Sequence, residues 1–291
     1  MPGLQQRVGR GAPSLEQVVR KVDDISTIPQ IALRVMEVAG DSNSGAGDLK
    51  DVMEGDAALS ARVLRCVNSS AYSLRTKITN LQQAIAYLGL KQIRNLALTA
   101  SVSDLFRKEE RIGSYSRLEL WRHLVSVGIC SRMIAMRRNI SNFEDAFLAG
   151  LLHDIGIAME DQHAHEPFLA VIQSLSRDET LADTERSRLG FDHTMLGARV
   201  AERWGFPEVA RAAIRYHHTS ANYRGEEINI VRCVEVANLI CTLKGTPSVG
   251  LKLVRFSAPA VAGLALTKED IAVLAEDLDR ETAQNASLFQ M

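Results

Sequence analysis

The 291-residue sequence predicts an all-α fold made of two packed helical units. Three observations carry this. Apolar residues recur with a 3.6-residue period from Ser14 onward almost without interruption, and no stretch of four or more residues alternates convincingly with period two. Hydrophobic residues make up 46% of the chain but aromatics only 5%, so the core is built from Ala, Leu, Val and Ile in helical spacing. The best break in this pattern is "RKEERIGSYS", residues 107–116, charged and then rich in Gly and Ser. The expected division is therefore a flexible tail over residues 1–13, a first unit over 14–115 and a second over 116–291.

The elements follow in order. "DAALSARVLRCVNSS" offers Asp56 as an N-cap, with Leu59, Val63, Leu64 and Val67 on one stripe. Asn68, Ser69 and Tyr72 behind it read as residues that cap and turn the helix end. "TNLQQAIAYLGLKQ" is a short helix capped by Thr79 or Asn80, with Leu81, Ala84, Ile85 and Leu88 inward and Gly89 as its stop. A longer helix is expected from about Leu90 to Phe106. "SRLELWRHLVSVGICSRMIAMRR" opens the second unit as a long helix, "HHTSANYRGEEIN" separates two later ones, and "TKEDIAVLAEDLDRETAQ" forms a last amphipathic helix capped by Thr267.

Composition removes several function classes. The net charge is −1, from 34 Lys+Arg against 35 Asp+Glu, so no direct nucleic-acid binding is expected. Cys66, Cys130, Cys233 and Cys241 form no C-x-x-C pair and read as reduced, buried small hydrophobes. The longest late uncharged run, Phe256–Thr267, is too short to span a bilayer, and "MPGLQQRVGRGAPS" has no apolar stretch behind it. A cytoplasmic protein with no membrane association is expected.

The histidines carry the chemistry. His123 lies within a helix, His153 precedes Asp154, His193 opens a helix, and His217 and His218 close one; all follow the boundary. His163 and His165, in "EDQHAHEP", read as surface residues. One histidine on an apolar helix is ordinarily a hydrogen-bonded core residue, and a wholly structural set of histidines is one reading. Imidazoles and a carboxylate converging from several helices are, however, how helical bundles build metal sites. Asp154 sits at the end of the apolar run "FLAGLLHDIGIAM", where an unpaired carboxylate is costly and a cation would satisfy it.

This pattern resembles the HD superfamily of metal-dependent phosphohydrolases. More closely, the chain is similar to HDOD-domain proteins, bacterial signalling output domains related to the HD and HD-GYP hydrolases. The carrying stretches run from about Ser26 to about Leu243: "IPQIALRVMEVA", "MEGDAALSARVLRCVNSSAYS", "ITNLQQAIAYLGLKQIRNLAL", "LWRHLVSVGICSRMIA", "FLAGLLHDIGIAM", "FDHTMLGARVAERWGFPEVARAAIRYHH" and "VRCVEVANLI". The resemblance implies an all-helical HDOD domain over residues 14–245, with an HD-like bundle as the second unit.

It also implies a ligand set. His123, His153, Asp154, His193, His217 and His218 fall where dinuclear HD-GYP enzymes have metal ligands, and Asn238 stands where the last HD aspartate would be. Ile157 replaces the HD-GYP lysine, and no Gly-Tyr-Pro follows "HHTSANY". The set is short of negative charge for two divalent ions. Glu235, one turn before Asn238, is a candidate to compensate but reads ordinarily as a helix-surface residue; Arg199 and Arg203 are candidates to replace the lysine but read as solvated. One or two divalent ions are expected, iron or manganese first and zinc or nickel as alternatives. Two functions follow as expectations. The first is a regulatory module acting through a protein partner, with a metal pocket and little or no hydrolysis. The second is a phosphohydrolase acting on a nucleotide or cyclic dinucleotide, with Asp154 and His217 as catalytic residues and His217 or His218 moving a proton. Homodimerisation is compatible with either.

Overall fold

The computed structural model describes residues 13–24, 30–41, 43–69, 72 and 74–290. The expected tail, apart from Pro13, lies outside the described residues, as do Ser70, Ala71 and Ser73 of "MEGDAALSARVLRCVNSSAYS". The chain is helical nearly throughout, as the periodicity requires.

The chain before residue 104 contains α1 (Leu15–Asp24), α2 (Gln30–Gly40), α3 (Ala46–Glu54), α4 (Ala57–Val67), α5 (Leu81–Leu88) and α6 (Leu90–Ser103). Asp56 caps α4 by accepting from the Leu59 amide at 2.9 Å. Of the two candidate caps for α5, Asn80 takes the role, accepting from the Gln83 amide at 2.9 Å. Gly89 ends α5 with φ +84°, a conformation open to glycine. α6 packs on α2 and α4 and then tightens into a 3₁₀ turn over Asp104–Phe106. Asn68 closes the turn behind α4. Its Nδ2 donates to the carbonyls of Leu64 and Ile78 at 2.8 Å, and its Oδ1 accepts from the Ile78 amide at 2.8 Å.

Where no sheet was expected, a two-stranded antiparallel hairpin occupies the boundary stretch, β1 (Arg111–Ile112) against β2 (Tyr115–Ser116). Two-residue strands are too short to show alternation, and the turn rests on Gly113 at φ +57°. The hairpin is tied down by Tyr115, fully buried, whose hydroxyl donates to Asp161 Oδ2 at 2.9 Å.

The long helix α7 (Arg117–Arg137) then packs against α8 (Phe143–Leu152) and α14 (Ile228–Leu243). α9 (Ile155–His163) packs against α12 (His193–Arg203), and α13 (Glu208–Tyr216) against α8 and α12. α10 (His165–Ser174) and α11 (Leu181–Leu189) fill one side, and α15 (Ala258–Gly263), α16 (Lys268–Gln284) and α17 (Ala286–Phe289) complete the chain. Thr267 caps α16 in a reciprocal capping box with Asp270. α1 leans on α9 and α12. Arg94 and Lys91 of α6 grip Asp145 at the start of α8, at 2.9 and 2.7 Å.

Two glycines set the spacing that the site needs. A Cβ on Gly150 of α8 would lie 2.7 Å from the Val127 carbonyl oxygen of α7. One on Gly156 of α9 would lie 2.0 Å from the His193 carbonyl oxygen of α12. Both pairs of helices therefore meet backbone to backbone, which no larger residue permits. The four cysteines are free and buried, as expected. Among the described residues no helix is long and apolar enough to cross a membrane.

Candidate metal centre

Four separate pieces of this scaffold deliver the candidate histidines. His123 lies inside α7, His153 follows the last residue of α8, and Asp154 immediately precedes α9. His193 is the first residue of α12, whose N-cap Asp192 accepts from the Met195 amide at 2.9 Å. His217 and His218 follow α13. His123, His153, Asp154, His193 and His217 are all at most 1% exposed. His218 is exposed as a residue, but its ring is turned inward, with Nε2 at 3.1 Å from His193 Nε2 and 3.0 Å from His217 Nε2.

The carboxylate of Asp154 divides the imidazoles into two groups. Its Oδ2 faces His153 Nε2 at 3.3 Å and His123 Nε2 at 3.6 Å. Its Oδ1 faces His217 Nε2 at 3.1 Å and His193 Nε2 at 3.4 Å. One set of donor atoms is thus His123, His153 and Asp154, the other Asp154, His193, His217 and His218, each within 4.8 Å of one another. Asp154 bridges both.

The second nitrogen of four rings fixes the direction of the first. His123 Nδ1–H donates to the Thr246 carbonyl at 2.6 Å, His153 Nδ1–H to the Gly150 carbonyl at 2.7 Å, and His217 Nδ1–H to the carbonyls of Ala213 and Ile214 at 3.1 Å. His193 Nδ1–H donates to Glu185 Oε2 at 2.7 Å. With Nδ1 protonated, a neutral ring turns an Nε2 lone pair inward. Lone pairs then meet across 3.3 Å between His123 and His153, with Asp154 Oδ1 buried without a hydrogen-bond partner. Such a concentration of inward acceptors calls for a positive charge at the middle, and orientation of ligand rings by outer acceptors is the usual design of a metal site. The donor set fits a divalent cation.

The electrostatics agree. Burial alone would raise the Asp154 carboxyl, but the imidazoles of His153 and His217 reverse this and hold it well below the ordinary range. Burial and the neighbouring His153 push His123 down to about 4. Burial and the rings of His217 and His193 keep His218 well below the usual histidine value. His193 goes the other way. Burial opposes its charge, but Glu185, Asp154 and Asp192 together lift it to about 9.

Glu185 was not visible as a site residue from sequence. It is fully buried, accepts from both the amide and the Nδ1–H of His193, and lies in "LADTERSRL", which reads as a solvated face. Beside it, fully buried Glu160 is held protonated by burial and by Glu185. Glu185 therefore places negative charge one imidazole away from the bridging carboxylate, supplying charge that the ligand set lacks.

Asn238 lines the same cleft as Asp154, His193 and His218, with its amide oxygen accepting from Thr242 Oγ1 at 3.2 Å. Two expectations need correction. Glu235 is 8% exposed rather than a surface residue, because the loop after α13 folds over it and the Ser220 amide donates to its Oε2 at 3.2 Å. His163 is 7% exposed, since it lies at the end of α9, the helix on which α1 leans. Arg199 and Arg203 reach Glu16 of α1, both at 3.9 Å, at the surface. Ile157, at the lysine position, is wholly in the core.

The HDOD domain family profile matches residues 25–220. A crystal structure of an HDOD domain protein of unknown function from Geobacter sulfurreducens is 25% identical, with a TM-score of 0.75 over 94% of this chain and 97% of that one. A candidate phosphohydrolase from Shewanella amazonensis, 21% identical, superposes with a TM-score of 0.71 over 97% and 99% of the two chains. An uncharacterized protein of Treponema pallidum is 22% identical over 227 residues, 76% of this chain, and the chain spans only 43% of that relative's length. With two thirds of its length matched by one family profile and the same helical fold in its structural neighbours, the chain belongs to the HDOD domain family.

Proposed function

We propose that the chain is a regulatory signal-transduction module that binds one or two divalent ions at His123, His153, Asp154, His193, His217 and His218, with Asn238 at the rim, and acts through a protein partner. The observation that carries this reading is Asp154 placed between two sets of inward-facing imidazoles with its Oδ1 unpartnered. The donor set is mixed imidazole and carboxylate, which suits iron or manganese, with zinc or nickel as alternatives. Asn238 and Ile157 stand where hydrolytic relatives carry an aspartate and a lysine, which argues for little turnover. Exposed apolar side chains support contact with a partner: Tyr87 is 59% and Met136 54% exposed. A charge-balanced chain with no membrane-crossing helix among the described residues fits a cytoplasmic setting.

A second reading, hydrolysis of a phosphorylated ligand, is favoured by the open cleft that reaches His217 and His218. When bound, a divalent ion supplies charge that polarises a phosphoryl oxygen and acidifies a coordinated water. Asp154 would hold that charge in place, and His218, whose ring is not tied to a backbone carbonyl, would carry a proton to or from the ligand. The test is elemental analysis of the purified protein followed by a phosphodiesterase assay with added manganese or iron. One or two equivalents of metal with no turnover is the expected result. Turnover that disappears in His153→Ala would place the second reading first, and no metal at all would remove both.

A further inference from the structure

The cleft outside the histidine cluster has a chemistry of its own. It encloses about 180 Å³, its inner wall is His217, His218 and Asn238, and it is also lined by Arg186, Arg215 and Arg255. Arg255 lies beyond the residues matched by the family profile. Asp183 and Asp192 also line the cleft, but both are engaged as helix caps. Asp183 forms a capping box with Thr180, and Asp192 caps α12. They hold Arg186 between them, Asp183 at 2.7 Å and Asp192 through Oδ2, and Asp183 also takes Arg255 at 3.0 Å. Glu235 is turned toward the Ser220 amide. Arg215 differs. Its Nη1 donates to Thr194 Oγ1 at 2.8 Å, and among the described residues no carboxylate pairs with it.

We propose that this cleft binds a small phosphorylated molecule, its phosphoryl group held by Arg215 with help from Arg186 and Arg255 against the histidine cluster. The proposal deepens the metal-centre reading and rests on it. Guanidinium forks match phosphate geometry, and an arginine with donors to spare is the group that gains most from such a ligand. Positive charge thus reaches the centre from α11, α13 and the segment after α14, replacing the clamp that Ile157 cannot provide. Size and lining restrict the rest of the ligand. Ordinary ligand pockets enclose about 300–1,000 Å³, so this one is small. Its apolar lining is Ala182, Leu239, Leu253 and Val254, and apart from the cluster histidines it holds no ring on which a base could stack. A phosphate ester of a small alcohol or acid fits these limits better than a nucleotide or a cyclic dinucleotide.

The test is calorimetric titration of inorganic phosphate into the full chain, with the metal content of every sample measured separately. Wild-type protein binds phosphate saturably at one site, and Arg215→Gln weakens binding by about tenfold or more, the loss expected for a charge-assisted pair. Arg255→Gln, at a side chain 70% exposed, weakens it by less. Neither variant changes metal content, and adenosine monophosphate binds no more tightly than phosphate. Equal phosphate affinity in wild type and Arg215→Gln, absence of saturable binding, or adenosine monophosphate binding more than tenfold tighter overturns the proposal. Wild type that takes up no manganese when it is added, yet binds phosphate through Arg215, removes the metal reading and keeps the cleft. Metal-loaded protein indifferent to Arg215 does the reverse.

Discussion

Glu185→Gln changes one charge and almost no volume, and its consequence for the metal centre can be worked out in sign and size. Glu185 Oε2 accepts from His193 Nδ1 at 2.7 Å and from the His193 amide at 2.9 Å, all fully buried. The glutamine oxygen still accepts, so the ring stays oriented and only the charge behind it is lost. Loss of such an outer partner typically costs 10–100-fold in metal affinity, about 1.4–2.7 kcal/mol. A second effect opposes the first. In the metal-free protein His193 sits at about 9, so at pH 7 a proton must leave before a metal binds. That competition costs wild type about a hundredfold at pH 7 and almost nothing above pH 9. Removing Glu185 lowers the His193 pKa and relieves the competition. The variant should therefore bind manganese 10–100-fold more weakly than wild type near pH 9, with the gap narrowing as pH falls to 7. Competition titration against a chelator at the two pH values reads both effects. An equal loss at both would mean that Glu185 only supports the fold. No loss near pH 9 would remove it from the centre.

Three further outcomes follow from the same geometry. In wild type the manganese affinity should rise about tenfold per pH unit from 7 to 9 and then level off, because raising the pH removes the proton that His193 holds up to about 9; a flat profile over that range would contradict the ring assignment. Gly156→Ala should lower the melting temperature by several degrees and release the metal together with it, because its Cβ would sit 2.0 Å from the His193 carbonyl; such overpacking costs about 1–3 kcal/mol or more. Unchanged melting and metal content would show that α9 and α12 do not meet as described. Asn68→Ala should cost about 2 kcal/mol in chemical denaturation by leaving the Ile78 amide and carbonyl without their partner, while metal content stays the same; a loss of metal there would give this turn a role at the site.

The sequence made local chemistry legible and tertiary chemistry much less so. Asp56, Asn80 and Thr267 declare their helices because a cap acts within three residues of itself. The histidines were found because five of them, placed next to helix ends or on an apolar face, are hard to explain by packing alone. Glu185 and Glu160 could not be found that way. Glu185 stands among polar neighbours in α11 and Glu160 opens the polar end of α9, and the approach of α9 to α12 and of α11 to α12 buries them. The same holds for His163, whose burial depends on elements remote in sequence, and for Glu235, covered by the loop that follows α13. The hairpin at residues 111–116 escaped because two-residue strands carry no period, and its ties to Asp161 cross more than forty residues. Residues that act through a partner far along the chain leave no spacing to read.

The measurement closest to the centre of this account is anomalous scattering from crystals of the protein grown with manganese, beside crystals of Asp154→Asn grown in the same way. One or two anomalous peaks should lie within coordination distance of Asp154, with His123 and His153 on one side and His193, His217 and His218 on the other. The variant should lose them. Wild-type crystals without a peak between Asp154 and these imidazoles would contradict the assignment of a metal centre.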